Sequence, residues 1–249
     1  MPDINKTDRR HLVVLAIDNN RQAWYEMLIP FIVSLRATDY RGRIGVIGYG
    51  LSSEKERRLL ANGIEVYAAV GAGDLPWDRY ISAGAIFDAV SELETLALYD
   101  ADIWFPGPHF DIFDVVPDDD FLHVAPDAHF CAFVMSPIIG ERKEALMRQC
   151  VQDVLDRLGH PLQAGLVVGG RAAWARFAQY VHEQAGRIGQ DFQATYGLDT
   201  TFLHLWASLG HVRLVGREQN FATKWGLHER HDFDAAQEIL EQQGTPIRG

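Results

Sequence analysis

Short strand-like runs alternate with amphipathic stretches along this chain, and the alternation limits the folds open to it. The first four runs lie at residues 12–17, 44–47, 64–67 and 96–99. Strands separated by helices at this spacing are typical of βαβ units, in which right-handed crossovers join parallel strands. We therefore predict an α/β fold with one domain, in which helices flank a mainly parallel central sheet.

The remaining elements follow from the same periodicities. We expect Pro30 to interrupt a helix over 22–35, Ser53 and Glu56 to begin a helix as a capping box, and residues 106–128 to form a loop with short pieces of structure. Asp199 is expected to cap a helix. The other predicted helices cover 83–93, 144–158, 171–188, 199–209 and 232–243, and the other strands cover 130–135, 164–168 and 212–215.

Composition excludes several classes of protein. The 249 residues include 23 basic and 34 acidic side chains, and 23 − 34 gives a net charge of −11, which disfavours a nucleic-acid partner. No apolar run approaches the roughly 20 residues of a membrane helix, so no transmembrane segment is expected. The first ten residues have no apolar segment of the secretory type, so we expect a cytoplasmic protein.

Asp100 and Asp102 form the most informative motif, because the two carboxylates directly follow the apolar strand at 96–99. Ligands of open α/β sheets bind at the carboxyl ends of strands. Carboxylate oxygens select Mg²⁺ or Mn²⁺, and such a cation neutralises phosphates as a Lewis acid. The pattern Asp-x-Asp is short, and a solvated turn is the alternative interpretation. The chain contains no GxGxxG, GxxxxGK[ST], GxSxG or HExxH motif.

With this motif in its context, the chain resembles the GT-A-fold glycosyltransferases that use nucleotide sugars. The resemblance is to the retaining family that includes glycogenin and bacterial lipooligosaccharide galactosyltransferases. Five segments in the same order carry it: residues 13–20, 97–103, 161–167, 196–203 and 215–220. The resemblance implies a GT-A-like catalytic domain at 11–230, between a polar segment at 1–10 and a C-terminal helix and tail at 231–249.

The resemblance also implies a donor site. Asp18, Asn19 and Asn20 would bind the nucleotide, which is expected to be UDP-linked. Asp100 and Asp102 would bind Mn²⁺, or Mg²⁺, together with the diphosphate. The partners would be a nucleotide-sugar donor and a glycan or small-molecule acceptor.

Two further residues are implied as catalytic. Gln163 and Asp199 would line the sugar and acceptor side. The transfer would retain the configuration of the anomeric carbon, with the carbonyl of Gln163 or the carboxylate of Asp199 near the reacting face.

The chain departs from the family pattern at several places. Gln163 stands where Asn is usual, and Thr200 stands where Gln is usual. The family's arginine in the helix before the Asp-x-Asp motif is not evident, and Arg79 is an approximate substitute. The sequence has no HxxGxxKPW motif, so Lys224 is the candidate phosphate ligand and His228 the candidate third metal ligand.

These observations leave three functions open. The first is a metal-dependent glycosyltransferase. The second is a nucleotide-sugar-binding protein or scaffold subunit of the same fold that has lost turnover. The third is another metal-dependent nucleotidyl or phosphoryl transferase. Hydrolysis of the donor separates the first two, and release of pyrophosphate identifies the third.

Overall fold

A computed structural model describes residues 10–70, 75–105, 107, 111–117, 119–127, 141–188 and 198–220. Seven strands in these ranges form a single sheet. They are β1 (His11–Asp18), β2 (Arg43–Tyr49), β3 (Glu65–Ala68), β4 (Thr95–Tyr99), β5 (Leu122–Pro126), β6 (Leu162–Gly170) and β7 (Val212–Leu214).

The sheet is mostly parallel, as predicted, with strand order β3-β2-β1-β4-β6-β5-β7. The pairs β1–β2, β1–β4, β2–β3 and β5–β7 are parallel, whereas β6 runs antiparallel to both β4 and β5. Because β6 is reversed, its first residues lie beside the carboxyl end of β4. The direction of β6 is not predictable from its apolar composition, which is the same for either direction.

Helices cover both faces of the sheet. The apolar run of β1 is explained by burial on both sides: Val14 packs into the core on one face, and Val13 into the core on the other. The helices are α1 (Arg21–Ala23), α2 (Ile29–Arg36), α3 (Ser53–Ala61), α4 (Leu75–Ala89), α5 (Ile112–Val115), α6 (Glu141–Leu158), α7 (Arg171–Ile188) and α8 (Leu198–Ser208). Among the described residues, no helix is long and apolar enough to cross a membrane.

The predicted flaw in the first helix is confirmed. Five residues, Trp24–Leu28, form a π-helical turn between α1 and α2, and the Ile29 N–H bonds to the carbonyl of Trp24. Pro30 lies in the first turn of α2. A proline has no N–H to give to the carbonyl four residues earlier, so the wider turn just before it is a local solution to that missing bond.

Several predicted boundaries were wrong. Ser52, one residue earlier than predicted, caps α3 by accepting a hydrogen bond from the N–H of Lys55. Helix α4 begins at Leu75 and not at Ala83. Helix α8 begins at Leu198, so Asp199 lies inside its first turn and is not its cap.

The predicted loop at 106–128 contains both α5 and β5. Strand β5 was missed because aspartates precede it and Pro126 ends it, and both residue types favour loops. The predictions of a strand at 130–135 and a helix at 232–243 fall outside the described residues. The domain boundaries at residues 10 and 230 stay predictions.

Candidate active site

One edge of the sheet gathers most of the predicted site residues. The carboxyl ends of β1 and β4 lie here, and antiparallel β6 brings its first residues to the same edge. The first turn of α8 carries Asp199, and Arg79 is the fifth residue of α4. The backbone joins two of these parts directly, since the N–H of Asp100 donates to the carbonyl of Gly165 at 2.8 Å.

Arg79 is the centre of this edge. Its guanidinium is 7% exposed and forms ion pairs with Asp100 and, at 2.9 Å, with Asp199. It also donates to the carbonyl of Ala164 at 3.1 Å. One side chain therefore connects the turn after β4, the start of β6 and the start of α8, which are three segments that the sequence analysis placed in one site.

The charges of this cluster are strongly coupled. Burial lowers the pKa of Arg79, but the carboxylates, Asp100 foremost, more than offset this, so its pKa is raised and it stays a cation. Burial raises the pKa of Asp199 and outweighs the opposing effect of Arg79, while the neighbouring Asp100 raises it further. Ionisation of Asp199 at this buried position therefore costs free energy. Carboxylates whose pKa is perturbed in this way are common in functional sites.

The Asp-x-Asp motif lies in a tight turn after β4. The N–H of Ile103 bonds to the carbonyl of Asp100, and Asp100 and Asp102 are both partly exposed. Their carboxylates are suitable ligands for a hard cation. Across the described ranges no three side chains of the types His, Cys, Asp and Glu converge as a metal site, and the candidate third ligand His228 lies outside those ranges, as does Lys224.

The turn after β1 is held by its own polar side chains. Asp18 accepts a hydrogen bond from the N–H of Asn20 at 2.7 Å, and Asn20 caps α1. The side-chain amide of Asn19 donates to the carbonyl of Gly50 and accepts from the N–H of Ser52 at 3.0 Å. Asn19 and Asn20 therefore shape the turn, while Asp18 is exposed to solvent.

A cleft of about 740 Å³ opens next to this turn, at the carboxyl ends of β2 and β3. Gly50, which Asn19 contacts, is in its lining. Tyr49 and Tyr67 supply aromatic surface, and Glu56 supplies a carboxylate. The cleft thus extends the predicted nucleotide turn and offers both polar and apolar surface to a small molecule.

The side chain of Gln163 is held in place by two hydrogen bonds. Its side-chain oxygen accepts hydrogen bonds from the N–H of Gly165 and from Asn220 Nδ2, the latter at 2.6 Å. The side-chain carbonyl of Gln163 is therefore directed at Gly165 and Asn220, and the role predicted for Gln163 at the reacting sugar stays a prediction. Its amide nitrogen is the end left to reach other groups.

The tryptophans of the described ranges differ in exposure. Trp24, Trp174 and Trp206 are buried in the core. Trp77 packs edge-on against Phe202, with 5.9 Å between the ring centres, whereas Trp104 is 45% exposed.

Sequence reasoning gave Arg79 only a tentative place and did not single out Asn220 as a site residue. Arg79 contacts Asp199, which lies 120 residues away in the sequence, and Asn220 contacts Gln163, which lies 57 residues away. A local sequence pattern does not predict contacts at such separations. One signal was present for Arg79, because α4 is otherwise mainly apolar around it. A basic residue on such a helix has to find a buried partner.

The chain matches no protein-family model and no curated protein. Solved structures do match. The galactosyltransferase LgtC, in complex with donor and acceptor sugar analogs, has 16% sequence identity and a TM-score of 0.54, over 82% of this chain and 73% of LgtC. The glycosyltransferase GlyE of Streptococcus pneumoniae TIGR4 has 16% identity and a TM-score of 0.59, over 94% of this chain and 53% of GlyE.

The bifunctional glycosyltransferase WbbM has 14% identity and a TM-score of 0.51, over 94% of this chain and 46% of WbbM. The chain thus spans about half the length of GlyE and less than half that of WbbM. At these identities the likeness concerns the fold. It confirms the predicted GT-A-like α/β fold and its resemblance to a bacterial galactosyltransferase.

Proposed function

We propose that this chain is a glycosyltransferase that moves a sugar from a nucleotide diphosphate donor to a hydroxyl group of a glycan or small molecule. The observation that carries the proposal is the Arg79 cluster. Arg79 joins Asp100, the carbonyl of Ala164 and Asp199, which come from three separate segments. Stability alone is a poor explanation for three polar segments around one buried cation, because removing charges from water costs free energy that their pairing only offsets.

The balance of charge supports a cation-dependent donor site. Asp100, Asp102 and Asp199 bring three carboxylates to this edge, and Arg79 pairs with Asp100 and Asp199. An anionic diphosphate close to these carboxylates would be repelled by them. Mn²⁺ or Mg²⁺ held by Asp100 and Asp102, with His228 as the proposed further ligand, would supply the positive charge that stabilises the departing diphosphate.

The nucleoside is proposed to bind between the β1 turn and the adjacent cleft. Asn19 and Asn20 hold the turn, and Asp18 offers an exposed carboxylate to the hydroxyl or N–H groups of a nucleoside. The donor is proposed to be UDP-linked, as the family resemblance implies. Lys224 is the proposed phosphate contact.

The reaction exchanges one carbon–oxygen bond for another. The bond from the anomeric carbon to the diphosphate oxygen breaks, and its electron pair leaves with the diphosphate. The acceptor oxygen forms the new bond to the anomeric carbon, and its proton passes to an oxygen of the departing diphosphate. We propose retention of configuration, with Asp199 near the reacting face, and the anomeric proton coupling of the product in an NMR spectrum tests that choice.

Turnover of donors tests the proposal as a whole. UDP-glucose, UDP-galactose and GDP-mannose are each incubated with the protein and Mn²⁺, and the released products are identified. Release of UDP or GDP with free sugar supports sugar transfer, here to water. Nucleotide binding without turnover would favour the binding protein, and pyrophosphate would favour nucleotidyl transfer.

A matched pair of variants ties any turnover to this site. Asp102→Asn removes a proposed metal ligand and is expected to abolish product release. Asp153→Asn makes the same change on the exposed surface of α6 and is expected to leave product release unchanged. Equal activity in both variants would contradict the assignment of the site.

A further inference from the structure

Trp104 exposes its indole two residues after Asp102, and we propose that it binds a sugar ring of the acceptor, which makes the acceptor an oligosaccharide. This inference rests on the proposed function, since it names the acceptor class for the same site. Trp104 is 45% exposed, whereas Trp24, Trp174 and Trp206 are at most 6% exposed. Core packing therefore explains those three tryptophans and does not explain Trp104.

The backbone on both sides of Trp104 is held by buried residues. Ile103 is fully buried, and its N–H bonds to the carbonyl of Asp100 at 3.3 Å. Phe105 is also buried and packs edge-on against Phe31 of α2, with 5.1 Å between the ring centres. Since both neighbours point into the core, the side chain between them is directed to solvent. The indole is thus held at a set place on the surface, next to the candidate metal ligands.

Trp104 reaches this edge from one face of the sheet, and the Arg79 cluster reaches it from the other. Helices α4 and α8, which carry Arg79 and Asp199, pack in the core on one face. Ile103 and Phe105 belong to the core on the opposite face. The reacting carbon is proposed to lie near Asp199. The ring on Trp104 is therefore a second ring of the acceptor, linked to the one that carries the reacting hydroxyl.

The surface around the indole suits a sugar ring. Val33 of α2 is exposed, and it precedes Ser34, whose Oγ accepts the N–H of Phe105 at 3.4 Å. Asp102 and Ser34 are partly exposed polar neighbours. A sugar offers C–H groups to an apolar or aromatic surface and hydroxyl groups to polar side chains. A protein partner would need about 800 Å² of complementary surface, which is far more than two apolar side chains provide.

The test measures how affinity depends on the length of the glycan. An array of monosaccharides to tetrasaccharides, which includes glucose, maltose, cellobiose, galactose and lactose, is probed with the protein, Mn²⁺ and the nucleotide that binds, UDP or GDP. Calorimetry then gives the Kd of each glycan that binds. The unchanged chain is expected to bind at least one oligosaccharide more tightly than its monosaccharide. Trp104→Ala is expected to reduce this length-dependent gain about tenfold.

Two further variants separate stacking from general damage. Trp104→Phe keeps an aromatic face and is expected to keep more of the gain than Trp104→Ala. Leu209→Ala removes another exposed apolar side chain, just after the end of α8 that is opposite to Asp199, and is expected to keep the full gain. The Kd of the bare nucleotide is measured on every variant, because a general loss of folding would weaken nucleotide and glycan together.

The outcomes distinguish this inference from the proposed function. An unchanged length-dependent gain in Trp104→Ala, or the absence of any such gain in the unchanged chain, would overturn the inference and leave the donor site in place. A change of oligomeric state in Trp104→Ala, measured by sedimentation, would assign the indole to a contact between copies of the chain and would also overturn it. Failure of both UDP and GDP to bind would overturn the proposed function and the inference with it.

Discussion

At the scale of single residues, Arg79 has the most partners in the candidate site. Two carboxylates and a backbone carbonyl accept its hydrogen bonds. A planar guanidinium can serve several acceptors at fixed angles, whereas an ammonium group is a point charge. Arg79 is therefore expected to stabilise the fold and to align the site, and the two roles can be measured separately.

Arg79→Met tests the stabilising role. The substitution leaves the carboxylates of Asp100 and Asp199 without their cation, so the free energy of unfolding is expected to fall by about 3 kcal/mol. Urea denaturation measures this. Arg57→Met, which removes an exposed arginine from α3, is the matched control and is expected to change the value by less than about 0.5 kcal/mol. Similar urea midpoints for the two variants would contradict the account.

At the scale of elements, α8 positions the start of β6 through His204. The Leu162 N–H donates to His204 Nε2 at 3.1 Å, and His204 Nδ1 lies 2.8 Å from the carbonyl of Thr200. Nε2 is thus an acceptor and Nδ1 carries the hydrogen, which is the neutral tautomer. Burial lowers the pKa of His204 to about 4, from an ordinary value of 6.5.

This shift predicts a pH dependence of stability. Between pH 6.5 and 4 the unfolded chain binds a proton at His204 that the folded chain does not, so stability is lost as the pH falls through this window. The loss is on the order of 3 kcal/mol. Well above pH 6.5, His204 is neutral in both the folded and the unfolded chain, so this loss of stability does not occur.

His204→Gln isolates the effect, because glutamine can accept the Leu162 N–H and does not titrate. The raised pKa of Asp199 has the opposite effect on stability, because the stabilisation that comes from protonated Asp199 in the folded chain is lost as the pH rises above 3.8. This effect is the same in His204→Gln and in the unchanged chain. The difference in unfolding free energy between the two proteins is therefore expected to depend on pH between 6.5 and 4. A constant difference would show that His204 is not buried in the neutral form.

Arg171 has a comparable role for α4. From the first residue of α7 it donates to the carbonyls of Phe87, Val90, Ser91 and Leu93, at the end of α4 and just beyond it. The last carbonyls of a helix have no partner within the helix. Arg171 therefore connects the two helices that flank β4 on one side of the sheet.

Arg171→Met is expected to lower the free energy of unfolding by about 1–2 kcal/mol, because several of these carbonyls lose a charged donor and only some regain water. Urea denaturation measures the change, and Arg57→Met again serves as the control. A variant as stable as the unchanged chain would show that water replaces these hydrogen bonds without cost.

At the scale of the whole molecule, apolar periodicity was enough to predict the fold class. Strand β1 and helix α7 were predicted almost to the residue. Burial on both faces gives β1 a continuous apolar run, and burial on one face gives α7 apolar residues at helical spacing. The antiparallel direction of β6 and the presence of β5 depend on long-range pairing, which local composition does not report.

The site was predictable only in part for the same reason. Asp100 and Asp102 follow a strand, so the rule for strand ends located them. The contacts of Arg79 and the pairing of Gln163 with Asn220 arise only after the sheet has assembled. The catalytic roles of Gln163 and Asp199 stay predictions.

The central claim is that the carboxyl edge of this sheet binds a nucleotide diphosphate through a metal ion. Calorimetric titration of UDP and GDP, each with and without Mn²⁺, tests it on the unchanged chain, on Asp102→Ala and on the control Asp120→Ala, an exposed aspartate next to Asp119 at the opposite edge. We predict Mn²⁺-dependent binding of one nucleotide that is lost in Asp102→Ala and kept in Asp120→Ala. Absence of binding by both nucleotides in the unchanged chain would contradict the account.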